Sequence, residues 1–179
     1  NEGFYYPVVN QDECIKCGRC VQKCVQTMQN DQTLMDAYIG YNPDESVRKD
    51  SSSGGIFNAI ASAFIDNGGV VFGAAFDDDY SVRHVRIENK ENLSRIMKSK
   101  YVQSDLKYIF DVLAEDLKKG RPVLFTGTPC QVAAVCQFAD GLRLREKLYT
   151  IDFICHGVPS PGVWKSYLNY ISKGSEVHE

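Results

Sequence analysis

Four of the seven cysteines lie close together near the start of the chain, in the stretch DECIKCGRCVQKCVQ that covers residues 12–26. Thiolates ligate iron–sulfur clusters, and two-residue gaps allow one tight loop to supply three corners of a cubane. The spacing C-x2-C-x2-C-x3-C therefore predicts a 4Fe–4S site. A tetrahedral zinc site, which usually separates its cysteine pairs by a longer loop, and unligated thiols are the alternatives. The four candidate ligands are Cys14, Cys17, Cys20 and Cys24.

The residue after the fourth cysteine is Val25, which departs from the bacterial ferredoxin pattern. That pattern ends in Cys-Pro, and its fourth cysteine ligates the other cluster of a pair. No second cysteine motif occurs in the sequence, so we expect Cys24 to close a single cluster. The alternative is that Cys24 serves a partner motif outside this chain, and that the cluster takes its fourth ligand from elsewhere.

Two other stretches place small polar residues directly ahead of predicted helices. In RKDSSSGGIF (48–57), serine hydroxyls and unpaired N–H groups could hold a phosphate, and the same residues would also suit a simple helix cap. In FTGTPCQ (125–131), a buried strand leads through a glycine turn to Cys130 at a helix start. The helix dipole favours a thiolate there, and the alternative is a structural cysteine in a βα turn.

The remaining cysteines carry weaker signals. In DFICHGVPSP (152–161), Cys155 and His156 follow a predicted strand, and α/β sheets bind ligands at the ends of parallel strands. A strand-end cysteine is nevertheless often only packed. Cys136 lies on an apolar helix and is expected in the core.

Apolar periodicity predicts alternating helices and strands from residue 51 onward. This alternation indicates an α/β fold with a layered mixed or parallel sheet and flanking helices, preceded by a short ferredoxin-like cysteine loop. We expect two parts, a partial ferredoxin-like iron–sulfur segment over 1–35 and an α/β domain over 36–179. Helices are predicted over 51–69, 104–120, 131–139 and 160–172, and strands over 1–9, 37–41, 70–77, 81–88, 122–125 and 147–155.

Two of the predicted helices have a defined apolar face. The second is expected to begin at a cap formed by Ser104 or Asp105. The first buries Ile56, Ile60, Ala63 and Phe64, and the second buries Leu106, Ile109, Phe110, Leu113 and Leu117.

Charge and composition exclude several classes of partner. A net charge of −3 and a pI near 5.7 give no basic surface for nucleic acid or an anionic membrane. The apolar runs are too short to span a bilayer. An odd number of cysteines, four of them clustered, is typical of metal-binding thiolates in a reducing compartment, so we expect a cytoplasmic protein.

Five motifs in this order resemble the coenzyme F-420 hydrogenase/dehydrogenase beta-subunit family, and the resemblance covers nearly the whole chain. They are the cysteine motif, R-x-x-S-S-S-G-G-x-F, S-K-Y-V-Q-S, V-L-F-T-G-T-P-C-Q and C-H-G-V-P-S-P. The resemblance implies a flavoprotein that relays electrons between an iron–sulfur cluster and a bound flavin, normally FAD. The α/β domain would then be the flavin-binding domain.

The resemblance also implies which residues lie against the flavin. Cys130, Lys100 and His156 are the candidate catalytic residues: Cys130 would lie near the isoalloxazine ring, Lys100 would stabilise an anionic reduced flavin, and His156 with Cys155 would line the same cleft or help a further cluster. The cofactor contacts would come from three segments: Arg48, Ser52, Ser53, Gly54 and Gly55; Ser99, Lys100, Tyr101 and Gln103; and Gly127, Thr128, Pro129, Cys130 and Gln131.

The implied partners are a redox protein, such as ferredoxin or a hydrogenase-type subunit, or a deazaflavin coenzyme. Family members are longer and often carry a further cysteine motif upstream, so this sequence resembles a piece that lacks both ends and could hold its cofactor weakly or be inactive by itself. Two other interpretations stay open. One is a zinc-organised α/β module that binds a protein partner without redox chemistry, and the other is thiol chemistry at Cys130.

Overall fold

The structure, a computed structural model, describes residues 3–4, 6–27 and 36–173. The described residues form a four-stranded mixed sheet in the order β2-β1-β3-β4. β1 pairs antiparallel with β2, whereas β1 with β3 and β3 with β4 are parallel pairs. This sheet with its flanking helices confirms the expected α/β class. The strands are β1 (Val70–Phe76), β2 (Val82–Ile87), β3 (Val123–Gly127) and β4 (Leu148–Asp152).

The four predicted helices occur in the predicted order, and three of them flank the sheet. Two short helices, α1 and α2, precede the sheet region, and 3₁₀ turns occur at Val25–Thr27, Lys90–Ile96 and Arg145–Lys147. The helices are α1 (Arg19–Gln22), α2 (Glu45–Lys49), α3 (Ile56–Asp66), α4 (Ile109–Lys118), α5 (Pro129–Gly141) and α6 (Pro161–Ser172).

The core has two layers because successive strand residues point to opposite faces of the sheet. On one face, Phe72 and Phe125 pack with Leu113 of α4 and Val135 of α5. On the other face, Val71 and Leu124 pack with residues of α3 and of the 3₁₀ turn Lys90–Ile96. Burying a side chain of this size stabilises the fold by about 1.5–3 kcal/mol.

The carboxyl ends of the three parallel strands meet at one edge of the sheet. Gly127 of β3 pairs with Asp152 of β4, and both are the last residues of their strands. The turn after β1, the turn Gly127–Gln131 and the loop after β4 therefore share this edge. Ligands of open α/β sheets bind at such edges.

Two predicted strands are wrong. Residues 37–41 are extended but form no strand, and Tyr38 and Ile39 are exposed. The residue that follows, Asn42, donates its N–H to the Gly54 carbonyl at 2.7 Å and so ties the end of this segment to the serine–glycine turn. The described part of the segment predicted over 1–9 also contains no strand. A strand needs a partner ladder, and neither segment pairs with the sheet within the described residues.

Two element boundaries and one buried face also differ from expectation. α4 begins at Ile109 rather than after a cap at residues 104–105 because Asp105 instead extends the β2 ladder, with its N–H donating to the Val82 carbonyl at 2.8 Å. β4 ends at Asp152, which leaves Cys155 outside the strand. α3 is apolar around most of its surface, and the sheet selects a face different from the predicted one. Phe57, Ala61, Phe64 and Ile65 are the α3 residues that pack on the core.

The apolar stripe of α4 is confirmed. Pro129 and Pro161 stand in the first turns of α5 and α6, where a missing N–H has no cost. Among the described helices, none has the length and apolar character that crossing a membrane requires.

Candidate functional site

The serine–glycine turn before α3 is held in place largely by backbone contacts. Gly55 has a left-handed φ of 74° and starts α3. A side chain there would be strained, and its Cβ would lie 3.1 Å from the Cβ of Asn42. Ser51 donates its hydroxyl to the Val47 carbonyl at 2.7 Å, and Ser52 and Ser53 are exposed. The turn therefore presents two serine hydroxyls beside the first turn of an 11-residue helix.

Arg48 holds the segment that precedes this turn. Its Nη1 donates to the carbonyls of Asn42 at 2.6 Å and Pro43 at 2.9 Å. The guanidinium also lies over the Tyr41 ring, 5.5 Å from its centroid. The structure thus places Arg48 beside the predicted site and gives it a role in fixing the chain there.

The segment 97–104 joins the serine turn to the turn after β3. The Ser99 N–H donates to Ser52 Oγ at 2.9 Å, and Gln131 Nε2 donates to Ser104 Oγ at 2.8 Å. Two hydrogen bonds, whose partners are 47 and 27 positions apart in sequence, therefore connect the three segments predicted to contact the cofactor. Tyr101 is exposed on this segment. The segment 97–104 is therefore a structural bridge between the two turns.

Lys100 turns its amine onto the backbone of its own segment. Nζ donates to the carbonyls of Met97 and Lys98. Burial, with a further contribution from the charge of Lys98, lowers the pKa of Lys100 to about 8. An amine in this state gains or loses its proton close to neutral pH and can donate to an anionic neighbour.

The turn Gly127–Gln131 ends β3 and starts α5. The Thr128 N–H donates to Gln131 Oε1 at 3.1 Å, which satisfies one unpaired donor of the helix start. Cys130 is exposed in the first turn of α5, and its Sγ lies 3.1 Å from Thr128 Oγ1. A Cβ on Gly127 would lie 2.9 Å from Gln131 Oε1, so a side chain there would have to displace the Gln131 amide.

Cys155 and His156 lie in the exposed loop between β4 and α6. The loop shares the sheet edge with Cys130, because β3 and β4 end side by side. Gly157, with φ 128°, allows the loop to turn toward α6. Cys136 is half-buried on α5. The structure brings Cys155 and His156 to the predicted edge, and their chemical roles stay predictions.

The cysteine loop has the ligand chemistry for a metal cluster. The motif cysteines are free thiols, and all but the half-buried Cys14 are exposed. Gly18 takes a left-handed φ of 71° before α1, as a tight loop requires. Among the residues that the structure describes, no three His, Cys, Asp or Glu side chains are placed to hold one metal ion. Four soft ligands suit an iron–sulfur cluster, whose binding would draw the sulfurs together.

The end of the cysteine segment lies against α5, the helix whose first turn contains Cys130. The 3₁₀ turn Val25–Thr27 follows Cys24 directly and lies against α5. Thr27 Oγ1 donates to the Cys24 carbonyl at 2.8 Å and to the Val21 carbonyl at 3.0 Å, which ties α1 to this turn. The fold therefore places the cysteine loop beside α5 although the two are about a hundred residues apart in sequence.

Two grooves lie on either side of the segment 97–105. One, of about 400 Å³, is bounded by α2, α3 and the 3₁₀ turn Lys90–Ile96, and Lys98 lies in it. The other, of about 370 Å³, is bounded by β2 and α6, and Gln103 lies in it. The Gln103 Oε1 atom is buried and has no partner among the described residues. Of the predicted residues of this segment, Gln103 lines the second groove, whereas Ser99, Lys100 and Tyr101 line neither, so the predicted residues do not share a single cleft.

His84 is the residue beside the site that sequence reasoning missed. It is 4% exposed on β2, and its Nε2 lies 2.9 Å from the Thr126 carbonyl. Burial lowers its pKa to about 4, against a smaller opposing effect of the hydrogen bond. A single histidine in an alternating strand has no spacing that distinguishes it from a core residue, so only the fold reveals this contact.

Comparison with known proteins supports the coenzyme F420 hydrogenase/dehydrogenase beta-subunit family. Residues 120–178 match the family described as the C terminus of the coenzyme F420 hydrogenase/dehydrogenase beta subunit. A chain of the F420-reducing [NiFe] hydrogenase complex from Methanosarcina barkeri, from a study of its xenon derivatization, has the same fold with a TM-score of 0.60. It is 18% identical, and the alignment covers 82% of this chain and 58% of that one. No curated protein matches the sequence significantly.

Proposed function

We propose that this relative of the coenzyme F420 hydrogenase/dehydrogenase beta subunits belongs to an oxidoreductase that relays electrons between a 4Fe–4S cluster and a bound FAD. The observation that carries the proposal is the pair of hydrogen bonds that link the serine turn, the segment 97–104 and the turn after β3, together with the contact between the turn Val25–Thr27 and α5. Electron transfer between two cofactors requires this kind of proximity. A binding module without redox chemistry would not need it.

The cysteine loop and the three turns would divide the work of binding. Cys14, Cys17, Cys20 and Cys24 would hold the cluster, and the serine hydroxyls and N–H groups at the start of α3 would hold the flavin phosphates. The cluster passes one electron at a time and a flavin accepts one or two, so the pair converts single electrons into hydride equivalents. The chain supplies the binding, the orientation and the local charge.

Lys100 is the residue best suited to balance negative charge at this site. Its amine has a pKa lowered to about 8, chiefly by burial, so it is still mostly protonated at neutral pH. A negative group nearby would favour the protonated form further. Lys100 would then hold its proton on Nζ and donate it in a hydrogen bond to that group, in place of one of the backbone carbonyls.

The partner would be a deazaflavin coenzyme, a ferredoxin or a hydrogenase-type subunit. The similar solved chain is part of an F420-reducing [NiFe] hydrogenase complex, which supports this choice. The chain spans 58% of the length of that neighbour. The reaction of the whole protein and its electron donor and acceptor are therefore part of the proposal.

Reconstitution of the cluster tests the proposal. Anaerobic addition of iron and sulfide should give a brown protein with absorbance at about 400 nm, and Cys17→Ser should abolish that absorbance because it removes one thiolate ligand. Cys136→Ser, which changes a cysteine on α5 outside the motif, serves as the matched control and should leave the spectrum intact. A Cys17→Ser spectrum equal to that of the wild type, or a colourless wild-type protein with one zinc, would contradict the cluster.

A further inference from the structure

A buried histidine on β2 reaches across the sheet to the end of β3. The His84 ring lies almost parallel to the Phe125 ring, with centroids 5.0 Å apart and an interplanar angle of 9°. Its Nε2 lies 2.9 Å from the Thr126 carbonyl oxygen. β2 and β3 are not neighbours, because β1 lies between them. The contact therefore bridges three strands at the carboxyl end of the parallel pair.

Small residues in one row across the sheet make room for this contact. His84 pairs with Ala74 of β1, and Phe72 pairs with Phe125 of β3. Two residues further along both strands, Ala74 stands beside Gly127. A Cβ on Gly127 would lie 3.3 Å from His84 Nε2 and 3.2 Å from the Phe125 ring. Because Ala74 has only a methyl side chain and Gly127 has none, the surface of the sheet has space for the imidazole of His84.

The hydrogen-bond partner determines the tautomer of His84. The Thr126 carbonyl can only accept, so Nε2 carries the hydrogen and donates it. Nδ1 is buried without a partner among the described residues. Burial also keeps the ring neutral above pH values of about 4, the value to which its pKa is lowered. His84 therefore donates a hydrogen bond but is not charged at neutral pH and cannot act as a general acid there. Its contribution to the site is to hold the backbone in position.

We propose that His84 is a positioning residue that fixes the turn Gly127–Gln131 through the Thr126 carbonyl. The turn is held on its other side by Gln131, which accepts from the Thr128 N–H and donates to Ser104. His84 thus anchors the end of β3 while Gln131 anchors the start of α5. Cys130 and the N–H groups of the first turn of α5 lie between the two anchors. The further statement that this turn binds a flavin rests on the proposed function.

Amide hydrogen exchange of the turn tests the positioning role directly, without any cofactor. His84→Leu removes the donor to Thr126 and should speed exchange in the peptide that covers 126–132 by about threefold to tenfold, the factor expected for one lost hydrogen bond. His84→Gln keeps an N–H donor and should restore the rate to within about twofold of the wild type. Ile87→Val, at the other end of β2 and also buried, is the control for a general loss of stability.

The results separate a local role from a global one. Faster exchange confined to the 126–132 peptide in His84→Leu, with rescue by His84→Gln, supports the positioning role. Unchanged exchange there, or an equal increase in Ile87→Val, overturns it. If His84→Leu does not fold, Ala74→Val provides the second route, because its larger side chain should push the unaltered imidazole away from Thr126 and speed exchange in the same peptide. An Ala74→Val protein with wild-type exchange there would also overturn the proposal.

Titration with FAD, followed by fluorescence, distinguishes this proposal from the proposed function. A wild-type protein that binds FAD, and a His84→Leu protein that binds it about threefold to tenfold more weakly, would support both. Altered exchange in a protein that does not bind FAD would support the positioning role and contradict the flavin. FAD binding of equal strength in wild type and His84→Leu, with unchanged exchange, would contradict the positioning role alone.

Discussion

At the scale of single residues, several side chains of the recognised motifs shape the site through bonds within the chain. Gln131 bonds to Thr128 and Ser104, and Arg48 bonds to two backbone carbonyls. These bonds hold separate segments of the chain to one another. Part of the reason for these residue types is therefore the structure of the turns themselves. A cofactor would bind to segments that are already hydrogen-bonded to one another.

The buried imidazole of His84 should make the stability of the fold depend on pH. Its pKa is about 4 in the folded protein and 6.5 ordinarily, so the unfolded chain binds more protons between these values. The contribution to stability is fully present above pH 6.5 and is lost as the pH falls toward 4, by up to roughly 3 kcal/mol. We expect urea unfolding at pH 7 and pH 4.5 to show this decrease.

The comparison that isolates His84 is the same pair of measurements on His84→Gln. Acidic side chains also lose stabilising contacts in acid, and they do so in both proteins. The variant should therefore lose less of its free energy of unfolding between pH 7 and pH 4.5 than the wild type. Equal losses in the two proteins would show that His84 does not titrate as its burial requires.

At the scale of the elements, β2 and α4 are joined by an ion pair on the α4 side of the sheet. Arg86 Nε donates to Asp116 Oδ2 at 2.6 Å, and the Asp116 side chain is 5% exposed. Arg121 lies 3.6 Å from the same carboxylate. The Asp116 carboxylate raises the pKa of Arg86, chiefly through the hydrogen bond between the two side chains. Asp116 is tolerated in the core because two guanidinium groups neutralise it.

Removing this buried carboxylate should destabilise the fold far more than removing an exposed one. Asp116→Ala leaves the partly buried guanidinium of Arg86 without its closest partner, and we expect a loss of about 2–4 kcal/mol in the free energy of unfolding. Glu45→Ala is the matched control, because its pair with Lys49 is well exposed, and it should cost less than about 0.5 kcal/mol. Urea unfolding followed by the fluorescence of Trp164, the single tryptophan, measures both. Similar losses in the two variants would contradict the role of the buried pair.

At the scale of the whole molecule, the candidate site depends on contacts between segments that are far apart in sequence. Hydrogen bonds link the serine turn to the segment 97–104 and that segment to the turn after β3, and the turn Val25–Thr27 lies against α5. The bond between the Ser99 N–H and Ser52 Oγ is the link between the first two. A change at this link should affect the site without touching the core.

Ser52→Ala tests whether the joined segments matter for binding. Loss of the acceptor should weaken FAD binding by about fivefold and lower the free energy of unfolding by about 1 kcal/mol, the usual contribution of one hydrogen bond. Fluorescence titration with FAD and urea unfolding measure the two effects. Ser166→Ala is the control, since Ser166 lies on α6 and bonds only within that helix, to the Gly162 carbonyl. Wild-type FAD affinity in Ser52→Ala would contradict a shared site.

The sequence by itself determined the local features of this protein. Apolar periodicity placed the four strands of the sheet and the four long helices, because side-chain burial follows the repeat of each element. The cysteine spacing predicted the ligand chemistry, and Gly18 and Gly55 stand where the backbone takes a left-handed φ. The strand predicted over 37–41 was wrong because a segment forms a strand only when another strand pairs with it.

Only the tertiary structure decided which of these features meet. No local pattern relates Ser52 to Ser99 or the cysteine segment to α5. His84, Ala74 and Gly127 lie on three different strands, and the small size of Ala74 and Gly127 leaves the space that the His84 ring occupies. The physical reason is that the periodicity of one segment determines which face it buries, whereas contacts across the sheet depend on strand order and register, which arise only when the whole chain packs.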